Sequence, residues 1–313
     1  MVWASARSPL ARWGEHVIPA SPEELPQGNR RPVQEVSAPV GVFDSGPGGL
    51  SVLREIRRTL PQEDVVYLAD TAHQPYGSRS QREVRGFCLD IVEFLCQQGV
   101  KMVVIACNTA TVAGETAIKA HFSGLPVVGM IGPAVRAALR GGGNRRIGVL
   151  GTALTVASKA YDECIRMVDP SAEVMGVACP DLIRIAQKNL TDQEDDRVEE
   201  LIRTSLQPLF DFGAGIVLLG CTDLGNMRLE FERAVDGKAL VIDPAEEVAK
   251  EISQVLLDQG ILKGPEGTLG MYRLLASGSE AGFNAAVASK LLKEPVLRIG
   301  HIDLQTRHMV VST

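Results

Sequence analysis

The sequence has no excess of positive charge, no long apolar run, no CxxC cysteine pair and no histidine spacing of the kind that holds a metal. Each absence closes off a class of function. A formal net charge of −6 leaves the chain without the basic surface that nonspecific nucleic-acid binding requires. No apolar stretch reaches the roughly 18–20 residues that span a bilayer, so no membrane partner is expected. The six cysteines follow no regular spacing, which suits reduced thiols in a cytoplasm and not a disulfide framework. The five histidines, at 16, 73, 121, 301 and 308, are not spaced from one another or from a cysteine like a zinc site, so no protein metal is expected. The glycine-rich Gly46-Pro47-Gly48-Gly49 lacks the third glycine of GxGxxG, and no GK[ST] follows. Nucleotide-cofactor binding is therefore not expected there; the glycines instead let backbone amides approach a carboxylate at a helix N-terminus.

What is present centres on Met102-Val-Val-Ile-Ala-Cys107-Asn108-Thr109-Ala110. An apolar run reads as a buried strand, and a cysteine follows where the strand stops. Asn108, Thr109 and Thr111 supply N-cap chemistry for a helix running through Ala113 to Ala120. A thiol at a strand's carboxyl end, against the positive end of a helix, is expected to have its pKa lowered from about 8.5. The plain alternative is a buried cysteine acting as a small hydrophobe. Cys88, Cys96 and Cys164 fit that alternative, because each falls in an amphipathic helical pattern.

The arrangement recurs in Gly215-Ile-Val-Leu-Leu-Gly220-Cys221-Thr222-Asp223. Each cysteine strand also has an upstream partner of similar style, Val40 to Ser45 before Cys107 and Ile147 to Thr152 before Cys221. The intervals from Gly41 to Cys107 and from Gly148 to Cys221 are similar, which suggests two related α/β halves, each bringing one cysteine to a shared cleft. Ligands in such folds bind outside the carboxyl ends of the strands.

At 313 residues the chain is long enough for two domains. Residues 1–38 are rich in proline and without apolar periodicity, and read as a disordered extension. They lack the apolar core of a secretory signal. From Pro39 strand and helix alternate, which predicts parallel sheets covered by helices. Strands are expected at 40–43, 64–69, 126–130, 147–150, 173–177, 239–242, 271–276 and 296–303, besides the two that end at the cysteines. Helices are expected at 49–59, 80–98, 132–139, 155–168, 194–209, 225–233 and 280–292, with a short one after Asp181 and another from Asp243-Pro244 to about 259. Gly141-Gly-Gly-Asn144 is the clearest hinge. The first α/β domain is placed at 39–140 and 243–313, and the second at 141–242.

Gly41-Val-Phe-Asp-Ser-Gly-Pro-Gly-Gly-Leu-Ser-Val52, Ala69-Asp-Thr-Ala-His-Gln-Pro-Tyr-Gly77, Val104-Ile-Ala-Cys-Asn-Thr-Ala-Thr111 and Leu219-Gly-Cys-Thr222 together resemble glutamate racemase. Ile147 to Thr152, Ala178-Cys-Pro180 and Leu274-Leu-Ala-Ser-Gly278 support the resemblance, which covers about Pro39 to Leu304. It implies a cofactor-independent isomerase of two pseudo-symmetric α/β domains, each a mostly parallel sheet covered by helices, with the active site between them and the C-terminal segment returning to the first domain. Cys107 and Cys221 would be the two acid/base thiols and Asp44 the carboxylate assisting the first. Ser45, Pro75, Tyr76, Gly77, Asn108, Thr109, Thr152, Thr222 and Asp223 would line the substrate site. The implied partner is a small amino acid, no cofactor or metal is implied, the location is cytoplasmic, and a homodimer is compatible with the family's varied association. The implied role is supplying D-glutamate for peptidoglycan.

Two positions depart from the family pattern. Asp223 stands where the family has histidine, and Gln187 where it has glutamate. Both changes would remove a proton-handling partner from Cys221, and an ionised Asp223 would raise that thiol's pKa, leaving Cys107 as the usual thiolate. Asp223 would alternatively serve only to cap the following helix. Other readings are a same-fold isomerase or lyase acting on another carboxylic or amino acid, a ligand-binding protein without turnover, and a redox pair of cysteines. Since residues 1–38 are expected to add to neither core, a chain beginning at Ser37 is predicted to keep its melting temperature and activity, measured by thermal denaturation and assay.

Overall fold

The computed structural model describes residues 35–142, 144–191, 197–265, 268–278, 283–304 and 308–310. The first stretch alternates β1 (Val40–Asp44), α1 (Leu50–Thr59), β2 (Val65–Ala69), α2 (Gln81–Gln97), β3 (Met102–Ile105), α3 (Asn108–His121), β4 (Val127–Val128) and α4 (Ile131–Arg140), with one 3₁₀ turn at Tyr76–Ser78. The second runs β5 (Arg146–Gly151), α5 (Ala153–Ala157), α6 (Ala160–Val168), β6 (Glu173–Ala178), α7 (Pro180–Thr191), α8 (Val198–Phe212), β7 (Ile216–Gly220), α9 (Thr222–Gly225), α10 (Arg228–Val235) and β8 (Leu240–Ile242). The last comprises α11 (Ala245–Asp258), β9 (Tyr272–Ala276), α12 (Ala285–Leu292), β10 (Gly300–Asp303) and β11 (His308–Val310).

Two sheets result. One has the order β11-β10-β9-β2-β1-β3-β4, parallel except for the antiparallel β10–β11 pair; the other is β6-β5-β7-β8, parallel throughout. The strands β9 to β11 thus return to the sheet that β1 opened. Every residue of β1, β2, β3 and β7 is buried, as a parallel strand covered on both faces requires. Alternate residues part to opposite faces. Val40, Val42, Val65 and Tyr67 pack with α1, α11 and α12, while Phe43, Val66 and Leu68 pack with α2 and α3. Each such buried side chain contributes about 1.5–3 kcal/mol over exposure. No helix of the described residues is long and apolar enough to cross a membrane.

Several expected elements differ. The helix expected at 155–168 is two, α5 and α6, because Lys159 adopts a left-handed backbone (φ 60°) that no continuous helix accommodates. That expected at 225–233 starts later, as α10, behind the separate four-residue α9. The short helix after Asp181 is instead the twelve-residue α7. The terminal strand shortens to β10, and β11 follows unforeseen. The proposed starts at 194 and 280 fall outside the described residues, as does Gly143 of the hinge.

Residues 1–34 of the extension likewise lie outside the described residues, but its last four do not. Residues 35–38 form a turn in which Ala38 is buried. Lys101, fully buried below the amino end of β3, explains why. Its Nζ sits 2.6 Å from Glu63 Oε2 and donates to the carbonyls of Val36 and Ile261, each at 2.8 Å. Glu63 Oε1 in turn accepts the Lys263 N–H at 2.8 Å. One buried cation therefore joins the segment before β1, the entry to β2 and the exit from α11. Residues 35–38, expected to add to neither core, are thus tied to the first sheet.

Removing one member of a buried ion pair leaves the other charge uncompensated, at a cost of about 3–5 kcal/mol. Lys101→Met is thus expected to lower stability by that order in denaturant titration. A chain beginning at Ser37, now without the Val36 carbonyl, should melt below one beginning at Glu35; equal melting temperatures would refute the role assigned to Val36.

Candidate active site

Strand order places the site before any side chain is considered. In the first sheet β2 lies on one side of β1 and β3 on the other, so the chain reverses direction across the sheet between β1 and β3. The second sheet does the same between β5 and β7. A crevice opens beyond the carboxyl ends of strands at each such switch point. Asp44-Ser45 and Cys107-Asn108 stand at the first, Thr152 and Cys221-Thr222-Asp223 at the second. The two ends face each other across hydrogen bonds from Thr222 Oγ1 to Asp44 Oδ2 (2.9 Å), between Thr109 Oγ1 and Thr152 Oγ1 (2.9 Å), and from Tyr161 Oη to Asn108 Oδ1 (2.6 Å).

Between them lies a cleft of about 320 Å³. Ser45, Pro75, Tyr76, Gly77, Cys107, Asn108, Thr109, Thr152, Cys221, Thr222 and Asp223 all line it. Asp44 sits behind that wall, 1 % exposed, and reaches the cleft through its neighbours.

Cys107 is itself the N-cap of α3, its Sγ accepting the Ala110 N–H at 3.4 Å, in place of the expected Asn108 or Thr109. The thiol donates to Ser45 Oγ at 3.8 Å and is in hydrogen-bond contact with Asp44. The amide stabilises the thiolate, but burial and the Asp44 charge outweigh it and push the Cys107 pKa well above the ordinary thiol value. The expected lowering is thus reversed, because helix-end stabilisation of 0.3–1 kcal/mol at exposed sites (about 2 kcal/mol at most) is smaller than the cost of burying a thiolate. Burial also raises Asp44, against hydrogen bonds from Thr222, Cys107 and Ser45 that lower it.

Cys221 is pushed up in the same way, first by burial and then by Asp223. Both thiols therefore rest protonated, and neither is singled out as the standing thiolate. Cys221 is the N-cap position of α9, and Asp223, inside the first turn, makes no capping bond. The helix-cap account of Asp223 is excluded. Its Oδ2 instead accepts from Gln187 Nε2 at 2.8 Å and from Cys221 Sγ at 3.7 Å. The two departures from the family pattern are in contact. Burial, then Asp44, raises the Asp223 pKa to about 7.

Three further residues around the cleft were not singled out by the sequence. Asp70, fully buried, accepts from Tyr76 Oη and Ser277 Oγ, each at 2.5 Å, and contacts His73 Nδ1 at 2.9 Å, which holds the Pro75-Tyr76-Gly77 wall. Tyr161 donates to the Asn108 amide oxygen, while Nδ2, on this cleft-lining residue, is buried without a partner. Thr155 closes a triangle of hydroxyls with Thr109 and Thr152. Asp70 falls inside a recognisable motif; Tyr161 and Thr155 are visible only once α5 and α6 dock on α3.

Comparison with known proteins gives a consistent picture. The profile of the Asp/Glu/Hydantoin racemase family matches residues 40–252. A glutamate racemase of Levilactobacillus brevis is 36 % identical over 267 residues, covering 85 % of this chain and 95 % of that protein. The crystal structure of a glutamate racemase isoform from Bacillus anthracis superposes with a TM-score of 0.78 at 34 % identity, covering 83 % of this chain and 95 % of that one. The Francisella tularensis glutamate racemase, solved with D-glutamate, gives 0.79 at 25 % identity, with 87 % and 99 % covered.

The raised Asp223 value has a consequence for stability. A carboxyl whose folded-state pKa exceeds its unfolded one contributes stability that is complete below the unfolded value, 3.8, and lost as pH rises through the folded value, about 7. Asp223→Asn removes that titration. The variant's melting temperature relative to the parent should therefore climb as pH rises from about 4 to about 7 and level off above; a difference independent of pH would contradict the burial of this carboxyl.

Proposed function

The chain belongs to the Asp/Glu/Hydantoin racemase family, and on that premise we propose that it inverts the α-carbon of glutamate by passing protons through Cys107 and Cys221. The observation carrying this reading is the pair of buried thiols, one from each sheet, that open onto a single cleft. Inversion by proton transfer needs a base on one face of the α-carbon and an acid on the other. One cysteine, as thiolate, removes the α-proton while the other, as thiol, delivers a proton to the opposite face, and the roles exchange in the reverse direction. The step as written needs no cofactor.

The remaining roles follow from chemistry. Asp44, in contact with Cys107, accepts that thiol's proton. The unpartnered Asn108 Nδ2 and the amide-rich start of α3 suit the α-carboxylate. Ser45, Pro75, Tyr76, Gly77, Thr109, Thr152 and Thr222 hold the amine and side chain with hydroxyls and backbone groups. Glutamate is favoured because the relatives of similar length are glutamate racemases and one of them binds D-glutamate. In a cell the product would serve peptidoglycan synthesis in the cytoplasm, and so cell shape. One observation favours a second substrate reading: Asp223 lines the cleft and, when ionised, disfavours an acidic side chain over a neutral or cationic one. Deuterium wash-in from D₂O at the α-carbon of a panel of amino acids decides between them.

Because enantiomers of a free amino acid have equal free energy, kcat/KM must be the same in both directions. Cys107→Ala and Cys221→Ala are each expected to remove racemisation in both directions, whereas Cys88→Ala, Cys96→Ala and Cys164→Ala should change stability at most. Polarimetry of either enantiomer reads the outcome, and racemisation surviving in Cys221→Ala would end the two-thiol reading.

A further inference from the structure

Asp223 is an expensive group to bury, and nothing structural explains it. Its side chain caps no helix, and among the described residues it pairs with no cation. One oxygen receives the Gln187 amide at 2.8 Å and the Cys221 thiol at 3.7 Å; the other, Oδ1, is buried without any hydrogen-bond partner. A Cβ on Gly48 would come within 2.6 Å of that Oδ1, so the glycine turn after β1 leaves space for the carboxyl. The first half holds a counterpart: Asp44, also buried, contacts Cys107 and is steadied by Thr222 and Ser45.

We propose that Asp223, oriented by Gln187, is the proton acceptor for Cys221, so that each catalytic thiol works with its own buried carboxyl. The inference rests on the racemase reading and deepens it, since the second half keeps a proton-handling group of a different kind from the histidine and glutamate of the family pattern. The Cys221 S–H bond breaks as an Asp223 Oδ2–H bond forms. The resulting thiolate takes the α-proton, re-forming S–H, and Cys107 gives its proton to the other face. Asp223 is then protonated and Cys107 is a thiolate, and exchange of one proton with water resets the pair after product leaves. Asp223 acts through the thiol it touches, so it is a positioning and proton-holding residue. Its value near 7 lets it take up and release a proton at neutral pH. The other charged or titratable groups around it are Asp44 and Tyr67 from the first sheet, Cys107 across the cleft, and Asp181 and Arg184, paired with each other, at the rim.

A carboxylate that merely repels would behave differently, and Asp223→Asn separates the two. Removing the charge lowers the Cys221 pKa, so alkylation of Cys221 by iodoacetamide at about pH 8, followed by peptide mass, should accelerate about tenfold, one pKa unit. Racemisation should nonetheless fall about 100-fold, the order of a lost acid/base partner. Asp223→His, which restores a titratable acceptor, should recover most of that loss, and Gln187→Leu should lose several-fold with the fold intact by circular dichroism. Racemisation that is unchanged or faster in Asp223→Asn overturns the proposal, as does alkylation no faster than in the parent. Failure of the functional reading shows itself separately, as a parent protein inactive on every amino acid of the panel; alkylation no faster in Asp223→Asn then still overturns the coupling of Asp223 to Cys221.

Discussion

The hydrogen bond from Thr222 Oγ1 to Asp44 Oδ2 crosses from one sheet to the other, and the cleft depends on it. A buried carboxylate needs donors, and Asp44 finds only part of its set on its own strand end, from the backbone and hydroxyl of Ser45. Cys107, at the end of the neighbouring strand, adds another, and the last, Thr222, comes from the second sheet. The bridges of Thr109 to Thr152 and of Tyr161 to Asn108 repeat the pattern, each satisfying a polar group of one half with a group of the other. The site is complete only where the two switch points abut.

This arrangement sets stability against chemistry. Parallel strands buried on both faces provide a large apolar core, and the carboxyl ends of those strands then carry two aspartates and two cysteines into the same buried region. Burial raises the pKa of all four. Perturbed groups gathered in one cleft are a mark of function, because a structural role is served at lower cost by apolar side chains. Lys101 and Glu63 show the structural use of buried charge in the same molecule: far from the cleft, with every donor of the ammonium directed at a partner, they join three segments of chain.

Much of this was legible in the chain. The two cysteine strands were recognisable from their apolar runs, and their kinship from matching partners upstream; β1 indeed lies directly beside β3, and β5 beside β7. The family motifs pointed to the residues that line the cleft. Local readings failed where a long-range term took over. The thiol pKa was expected to fall from the helix end alone, but desolvation, which depends on everything packed around Cys107, has the larger effect. Asp223 and Gln187 read as two separate losses because 36 residues separate them; the fold makes them one hydrogen-bonded pair.

The sequence by itself determined the alternation of strand and helix, the parallel sheets, the family and the two thiols, because these follow from local periodicity and from residues adjacent in the chain. Only the tertiary structure decided which carboxyl lies against which thiol, that Tyr161 orients Asn108, and that the Val36 carbonyl meets a buried lysine. Hydrogen bonds between distant segments and the loss of water around charged groups fix those features, and neither is written in the order of neighbouring residues.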